Sequence, residues 1–275
     1  MIRLPPDLEK VIESAWQKTQ DIPGFLGENE ARFLGILAAC VPAEGLIVEI
    51  GSFKGKSTVM IASVAAHYGL GPVVAIDPHT APSSTDPALG TASSTFDDFQ
   101  ASLKSAALCE YVESHREFSS VVAKEWNRPI RMLWIDGDHT LRGAKEDFAL
   151  FSRHLVNGAV VALHDALNAF EGPIRVFVEE ILRSDRYGPA GVVQSTAWGQ
   201  FRPKDGKDFR ELRSKIERRA RRILPFVSSG TSLRGLRKIG FKLVRSRVPR
   251  AAITPREWAE LVSNKTPDPT AIPLQ

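Results

Sequence analysis

Apolar residues recur along this chain in two periods. Residues 5–20 carry Leu8, Val11, Ile12, Ala15 and Trp16 at helical spacing until Pro23-Gly24 breaks the run. A second helix, predicted over 28–40, sets Phe33, Leu34, Leu37 and Ala38 on one face. From Leu46 onward, short apolar strands alternate with helices. The strands are predicted at 46–50, 73–76, 111–114, 131–135 and 159–163. The helices are predicted at 57–68, 96–107, 119–126 and 141–155, the last closed by Asn157-Gly158. A helix over 173–183 and a strand or hairpin over 191–201 follow. This alternation specifies an α/β fold: a doubly wound, mostly parallel sheet with helices on both faces.

In such sheets ligands bind at the carboxyl ends of the strands. The polar chemistry of this sequence gathers there, at Glu49 to Ser57, Asp77 to Thr80, Glu117 to Ser119, Asp136 to His139, and His164-Asp165. Gly51 and Gly55 permit tight turns and close approach of a ligand before the next helix. The run Gly51 to Ser57 is one residue short of a phosphate-cradling loop, and Glu49 beside it disfavours a triphosphate. A glutamate in that place suits a ligand carrying positive charge. Asp77 ends the second strand, 22 residues after Gly55, where an acid accepts ribose hydroxyls. Asp136, Asp138 and His139 follow one strand, and His164 and Asp165 the next. Adjacent strands lie roughly 5 Å apart, so these two clusters face each other. Asp136, His164 and Asp165 form a candidate Mg²⁺ or Mn²⁺ site. Asp138, His139 and His164 are the candidate general bases. Residues 78–95, rich in Pro, Ser, Thr and Gly, read as a lid.

The segments Val-Glu-Ile-Gly-Ser-Phe-x-Gly-x-Ser-Thr at 48–58, Ile-Asp-Gly-Asp-His at 135–139 and His-Asp at 164–165 resemble one branch of the class I S-adenosylmethionine-dependent methyltransferases. This branch includes macrocin O-methyltransferase-like and cephalosporin-hydroxylase-like proteins, and the resemblance spans roughly residues 22–201. It implies a Rossmann-like seven-stranded sheet with the last strand antiparallel. It also implies methyl transfer from S-adenosylmethionine to a hydroxyl of a sugar, glycan or secondary metabolite. By position the resemblance assigns Glu49, Gly51, Ser52, Phe53, Gly55, Ser57, Asp77, Ser119 and Asp136 to the cofactor. It assigns Asp136, His164 and Asp165 to a divalent cation and Asp138 to the base. Two departures stand out: His164-Asp165 replaces an Asp-Asp or Asp-Asn pair, and Glu117-Phe118-Ser119 replaces a Gly-Asp-Ser run.

Composition adds a partition. The 275 residues are 43% hydrophobic and 25% charged, within the globular range, and no apolar run reaches the roughly 18 residues of a membrane span. Cys40 and Cys109 lie in apolar stretches and read as buried free thiols, and no signal peptide is visible, so a cytoplasmic protein is expected. Residues 1–200 carry 17 Lys/Arg against 25 Asp/Glu, whereas 201–250 carry 17 against 4. A methyltransferase domain at 1–201, with the helices of 5–40 as its cap, is therefore expected to precede a basic helical extension at 202–275. In the extension, Phe209, Leu212, Ile216, Ala220 and Ile223 form one stripe, 233–244 repeats the basic-apolar character, and Thr254 to Glu257 is a capping box. The arm reads as a helix packed on the domain or as an interfacial helix, residues 204–250 meeting anionic lipid at the membrane's inner face. Nucleic acid is disfavoured, since no aromatics interleave the charges. A small-molecule or glycan acceptor and a homo-oligomer are the other expected partners. The rival readings are a P-loop-like nucleotide hydrolase or kinase, and a non-catalytic binding module acting through its arm.

Overall fold

A computed structural model describes residues 4–80, 94–227 and 233–264. Of the predicted lid, 78–95, residues 81–93 lie outside the described residues. Seven strands form one sheet: β1 (Leu46–Ile50), β2 (Val73–Ile76), β3 (Val112–His115), β4 (Ile130–Ile135), β5 (Leu155–Leu163), β6 (Tyr187–Val193) and β7 (Thr196–Phe201). Their order is β3-β2-β1-β4-β5-β7-β6, and β7 alone runs antiparallel to its neighbours. Ile50 pairs with Ile76 and Ile135, and Ile135 with Leu163. The residues that follow these four positions therefore emerge along one edge, which is why the polar strand-end segments converge.

The alternation of strand side chains divides the core in two. Ile47, Met132, Trp134 and Val160 pack under α1 (Leu8–Lys18), α2 (Glu28–Cys40) and α3 (Lys56–His67). Val48, Leu133, Ile135 and Val161 face the other side, against α6 (Leu141–Ser152) and α7 (Glu171–Val176). Two short helices, α4 (Phe96–Ser105) and α5 (Ser119–Val122), complete the crossovers. The predicted helix at 119–126 thus covers a single turn. The helix from Glu171 continues through Leu182 in wider, π-type turns.

One boundary differs for a clear reason. The Asn157-Gly158 pair does not follow a helix; α6 ends at Ser152 and β5 already begins at Leu155. Register jumps from Ile130–Leu155 to Met132–Val160, so the turn-forming pair is absorbed as a bulge. Gly158 has φ +89°, and a Cβ there would stand 2.6 Å from Pro42 O.

The basic extension is built onto the sheet. α8 (Arg210–Ala220) buries Leu212, Ile216 and Ala220, with Phe209 and Ile223 buried at its ends. Arg213 is fully buried and donates to the carbonyls of Leu182, Ser184, Tyr187, Gly188 and Gly206. α9 (Gly235–Arg245) follows, and then α10 (Pro255–Ser263), which starts at the predicted Thr254/Glu257 capping box. Trp258 of α10 is buried against Phe33 and Trp198, and its indole N–H donates to Cys40 O at 2.9 Å. Truncating a side chain so placed costs about 3–5 kcal/mol. Cys40 is buried as expected, but Cys109 is exposed: it opens a short 3₁₀ turn before β3.

Candidate active site

A cavity of about 930 Å³ opens at the carboxyl ends of the parallel strands. Gly51, Ser52, Phe53, Ser57, Asp77 and Ser119 line one part of it. Asp136, Asp138, His139, His164 and Asp165 line another. Eleven of the thirteen site residues expected from sequence therefore meet in one place, Glu49 and Gly55 being the exceptions.

The loop after β1 is shaped by two contacts. Gly51 has φ +87°, and a Cβ there would lie 2.3 Å from Asp136 O, so no other residue fits between the two strand ends. Ser52 N–H and Phe53 N–H both donate to Asp77 Oδ2 at 2.8 Å, and His79 N–H donates to Oδ1 at 2.7 Å. Asp77 thus binds the loop of the neighbouring strand and still faces the cavity. Phe53 and Asp165 hold φ of +46° and +56°, left-handed conformations that cost non-glycine residues energy and are characteristic of functional loops.

Glu49 is corrected by the structure. It does not line the cavity; it lies wholly buried beneath the turn and accepts from Ser57 Oγ and Thr58 Oγ1, each at 2.5 Å. Burial raises its pKa to about 7 against the lowering effect of the two hydroxyls. It positions the first turn of α3, which delivers Ser57 to the cavity. Gly55 likewise sits behind the loop, close to Phe99.

Across the cavity lies a chain of alternating charge. His164 Nδ1 is 2.9 Å from Asp136 Oδ1 and 3.6 Å from Asp165 Oδ1, and its Nε2 is 3.6 Å from Glu30 Oε2. His139 Nε2 lies 3.4 Å from Asp136 Oδ1 and 3.8 Å from Asp165 Oδ2, and its ring stacks on Phe170 at 4.5 Å. Burial opposes charge on His164, but Asp136, Glu30 and Asp165 outweigh it and hold its pKa well above the ordinary imidazole value. His139 is raised in the same way, Asp136 overcoming its burial. Burial pushes Asp136 and Glu30 upward, and the facing imidazoles bring both down instead.

This arrangement does not fit the expected divalent-cation site. Among the described residues no group of three His, Cys, Asp or Glu side chains is disposed to hold a metal ion. Asp136, His164 and Asp165 do come together, but the His164 edge that would ligate a metal faces Asp136 as an ion pair. An imidazole whose proton these carboxylates favour stands where a cation would neutralise them. Asp138, the base implied by resemblance, spends both oxygens on Thr140: Oδ1 accepts from its N–H at 3.0 Å and Oδ2 from its hydroxyl at 2.8 Å. Thr140 in turn caps α6 by accepting from Gly143 N–H.

Sequence reasoning missed two acids. Glu30 is buried and accepts from Ser195 N–H, Ser195 Oγ and Thr196 Oγ1, tying α2 to the β6–β7 turn. Asp147 is buried on α6, lines the cavity and accepts from Ser119 Oγ; burial lifts its pKa to about 6. One signal was available for both. Glu30 shares a stripe with Phe33, Leu34 and Leu37, and Asp147 with Ala144, Phe148 and Phe151, so each is an acid on an apolar face.

Both lysines of the rival nucleotide reading have partners away from the loop backbone, although Lys56 also lines the cavity. Lys54 Nζ pairs with Asp98 at 2.7 Å, and Lys56 Nζ lies over the Trp16 ring, 5.7 Å from its centroid.

A family described as a methyltransferase domain matches residues 48–166, which hold the loop after β1, Asp77, the 135–139 segment and His164-Asp165. Over these residues the chain is similar to a methyltransferase domain. The O-methyltransferase NovP is 13% identical over 72% of this chain and 98% of its own, with a TM-score of 0.56. A putative O-methyltransferase from Klebsiella pneumoniae is 16% identical over 74% and 92%, with a TM-score of 0.51. At these identities both relatives establish the fold, the methyltransferase sheet in which β7 lies between β5 and β6.

Proposed function

We propose that this domain transfers the methyl group of S-adenosylmethionine to a hydroxyl oxygen of a small-molecule acceptor: a sugar, glycan or secondary metabolite. The observation that carries the reading is the cavity itself, framed on one side by the Asp77-anchored loop and on the other by the Asp136–His139 pair. Its residues fit the cofactor. The Asp77 carboxylate lines the cavity and keeps acceptor capacity for a ribose hydroxyl beside the three backbone N–H groups it holds, and Ser119 with Asp147 offers acceptors for an adenine amine. When bound, the cofactor supplies an electrophilic methyl group.

The chain's own residues supply orientation and proton removal. His164 is enclosed between Asp136 and Glu30, which makes it a positioning residue. Asp138 is committed to Thr140. His139 is left as the base: Asp136 orients its ring, Phe170 supports one face, and its Nδ1 is buried without a hydrogen-bond partner among the described residues. Calorimetric titration with S-adenosylhomocysteine tests the cofactor site. The wild-type chain should bind, and Asp77→Ala should weaken binding by about 10–100-fold, the value of hydrogen bonds to a charged acceptor. Absence of binding by the wild-type chain overturns the proposal; binding opens a screen of glycosides and phenols as acceptors.

For the arm, one observation favours contact with an anionic membrane surface. Among the described residues no helix is long and apolar enough to cross a membrane. On α9, however, Leu236, Ile239 and Leu243 stand exposed at 85%, 63% and 55%, flanked by Arg237, Lys238 and Lys242. An apolar face bordered by basic residues is the pattern of a helix lying in a lipid interface. Co-sedimentation with phosphatidylglycerol vesicles, lost in Ile239→Ser, is the expected result; equal binding by the variant would rule α9 out.

A further inference from the structure

A second cavity, about 500 Å³, adjoins the first and is lined by Asn29, Asn168, Gln194, Ser195, Arg245 and Arg250. Asn168 and Ser195 line both cavities, so the two meet at these residues. The walls are fixed. Ser195 is held by Glu30, the Asn168 amide donates to Asp165 Oδ1, and the arm is anchored by buried Val248 and by Ala251 N–H donating to Val192 O at 3.3 Å.

Arg245 and Arg250 bring two like charges into this recess. Arg245 Nε is buried with no hydrogen-bond partner among the described residues. Burial and the nearby charge of Arg250 both work against its ionisation, while Asp165 and Glu30 act on it from the side of the first cavity. Arginines held together in a polar pocket, with amide and hydroxyl donors around them, match a tetrahedral oxyanion. We propose that the Arg245–Arg250 recess is a subsite for a phosphate-class group on the acceptor, placing the acceptor hydroxyl toward His139. The inference rests on the methyl-transfer reading for its role and on the recess for its chemistry.

The test titrates the full chain with inorganic phosphate and, separately, with phosphatidylcholine vesicles with and without phosphatidylglycerol. Wild type, Arg250→Gln and the Arg245→Gln/Arg250→Gln pair are compared, and each is also titrated with S-adenosylhomocysteine. Arg250 is exposed, so its substitution leaves folding intact. Saturable phosphate binding that weakens about tenfold in Arg250→Gln and vanishes in the double variant supports the subsite, with a soluble phosphoester as its ligand. Binding seen only with phosphatidylglycerol vesicles, and lost in the double variant, supports it with a lipid headgroup as the source. Equal binding by wild type and double variant in both arms, or no binding in either, overturns it. A chain that holds phosphate but not S-adenosylhomocysteine would sink the methyl-transfer reading and leave the anion site standing.

Discussion

Glu30→Gln is the sharpest probe of the buried charge chain. Glutamine retains an oxygen for Ser195 and Thr196, but it puts an amide NH₂ where Oε2 faces Gly27 N–H at 3.3 Å and His164 Nε2 at 3.6 Å. His164 then keeps Asp136 and Asp165 and loses one of its three carboxylates. The magnitude can be reached in two ways. Burial would raise the Glu30 pKa, but His164 and Ser195 bring it from 4.5 down to about 2, which corresponds to about 3 kcal/mol of native-state stability. Removing one partner of a buried pair typically costs 3–5 kcal/mol, the same range. For a chain of this length the loss lowers the melting temperature by about 6–10 °C. Because the native pKa lies below the unfolded value, the contribution is complete above pH ~4.5 and is lost as pH falls toward 2, dropping to about half at pH 3. His164 has the opposite sign: its share is complete below pH ~6.5 and is lost only as pH rises through its elevated native pKa. Urea unfolding of both proteins between pH 3 and 7 measures the difference. A gap under about 1 kcal/mol at pH 7, or one that does not narrow in acid, would refute the ion pairing of Glu30 with His164.

Three further expectations follow from the same geometry. Gly51→Ala meets both a φ of +87° and a Cβ 2.3 Å from Asp136 O, so it should cost at least about 2 kcal/mol and weaken S-adenosylhomocysteine binding; a urea midpoint equal to wild type would contradict this. His139→Ala should lower kcat by about 10²–10⁴ while leaving cofactor affinity intact, and the wild-type rate should rise with pH through a value above the ordinary imidazole pKa. An unchanged kcat would remove His139 from the mechanism. Ellman's reagent should label exposed Cys109 at once and buried Cys40 only as the chain unfolds, because burial lifts the Cys40 thiol to about 11. Rapid labelling of both would show that the packing of α2 against Trp258 is wrong.

What the sequence disclosed followed from periodicity. Apolar strands such as Leu46–Ile50 and Val73–Ile76 lie on their predicted residues, because a strand buried on both faces admits little besides Val, Ile and Leu. Parallel register then forces the strand-end segments together, so Asp77, Asp136, His139 and His164 could be gathered into one site without coordinates. Local reading fails where a residue has two meanings. Glu49 is as compatible in sequence with a ligand as with a pair of hydroxyls beneath the loop, and the structure shows its carboxylate on Ser57 and Thr58. Asn157-Gly158 marks a turn wherever it stands, and only the β4 pairing shows that this one bends a strand. Glu30 reaches only Gly27 locally; the groups that bury it lie far off in sequence, Ser195 being 165 residues away.

The departure at His164 has a consequence for metal dependence. The resemblance implies an acidic pair after the fifth strand that holds a cation, whereas here the first member of the pair is an imidazole whose pKa the surrounding carboxylates hold well above its ordinary value. Glu30, Asp136 and Asp165 surround one imidazole, so their repulsion is relieved by a proton carried on His164. A divalent ion would have to displace that proton and ligate the nitrogen now 2.9 Å from Asp136 Oδ1, against the local field that favours the imidazolium. Treatment with EDTA should therefore leave the melting temperature and the S-adenosylhomocysteine affinity of the wild-type chain unchanged. His164→Asp removes the built-in cation and adds a fourth carboxylate, so it should lose stability and recover part of it with Mg²⁺ in a concentration-dependent way. A wild-type chain that loses cofactor binding in EDTA and regains it with Mg²⁺ would show that the charge chain is the metal site after all, with His164 as a neutral ligand.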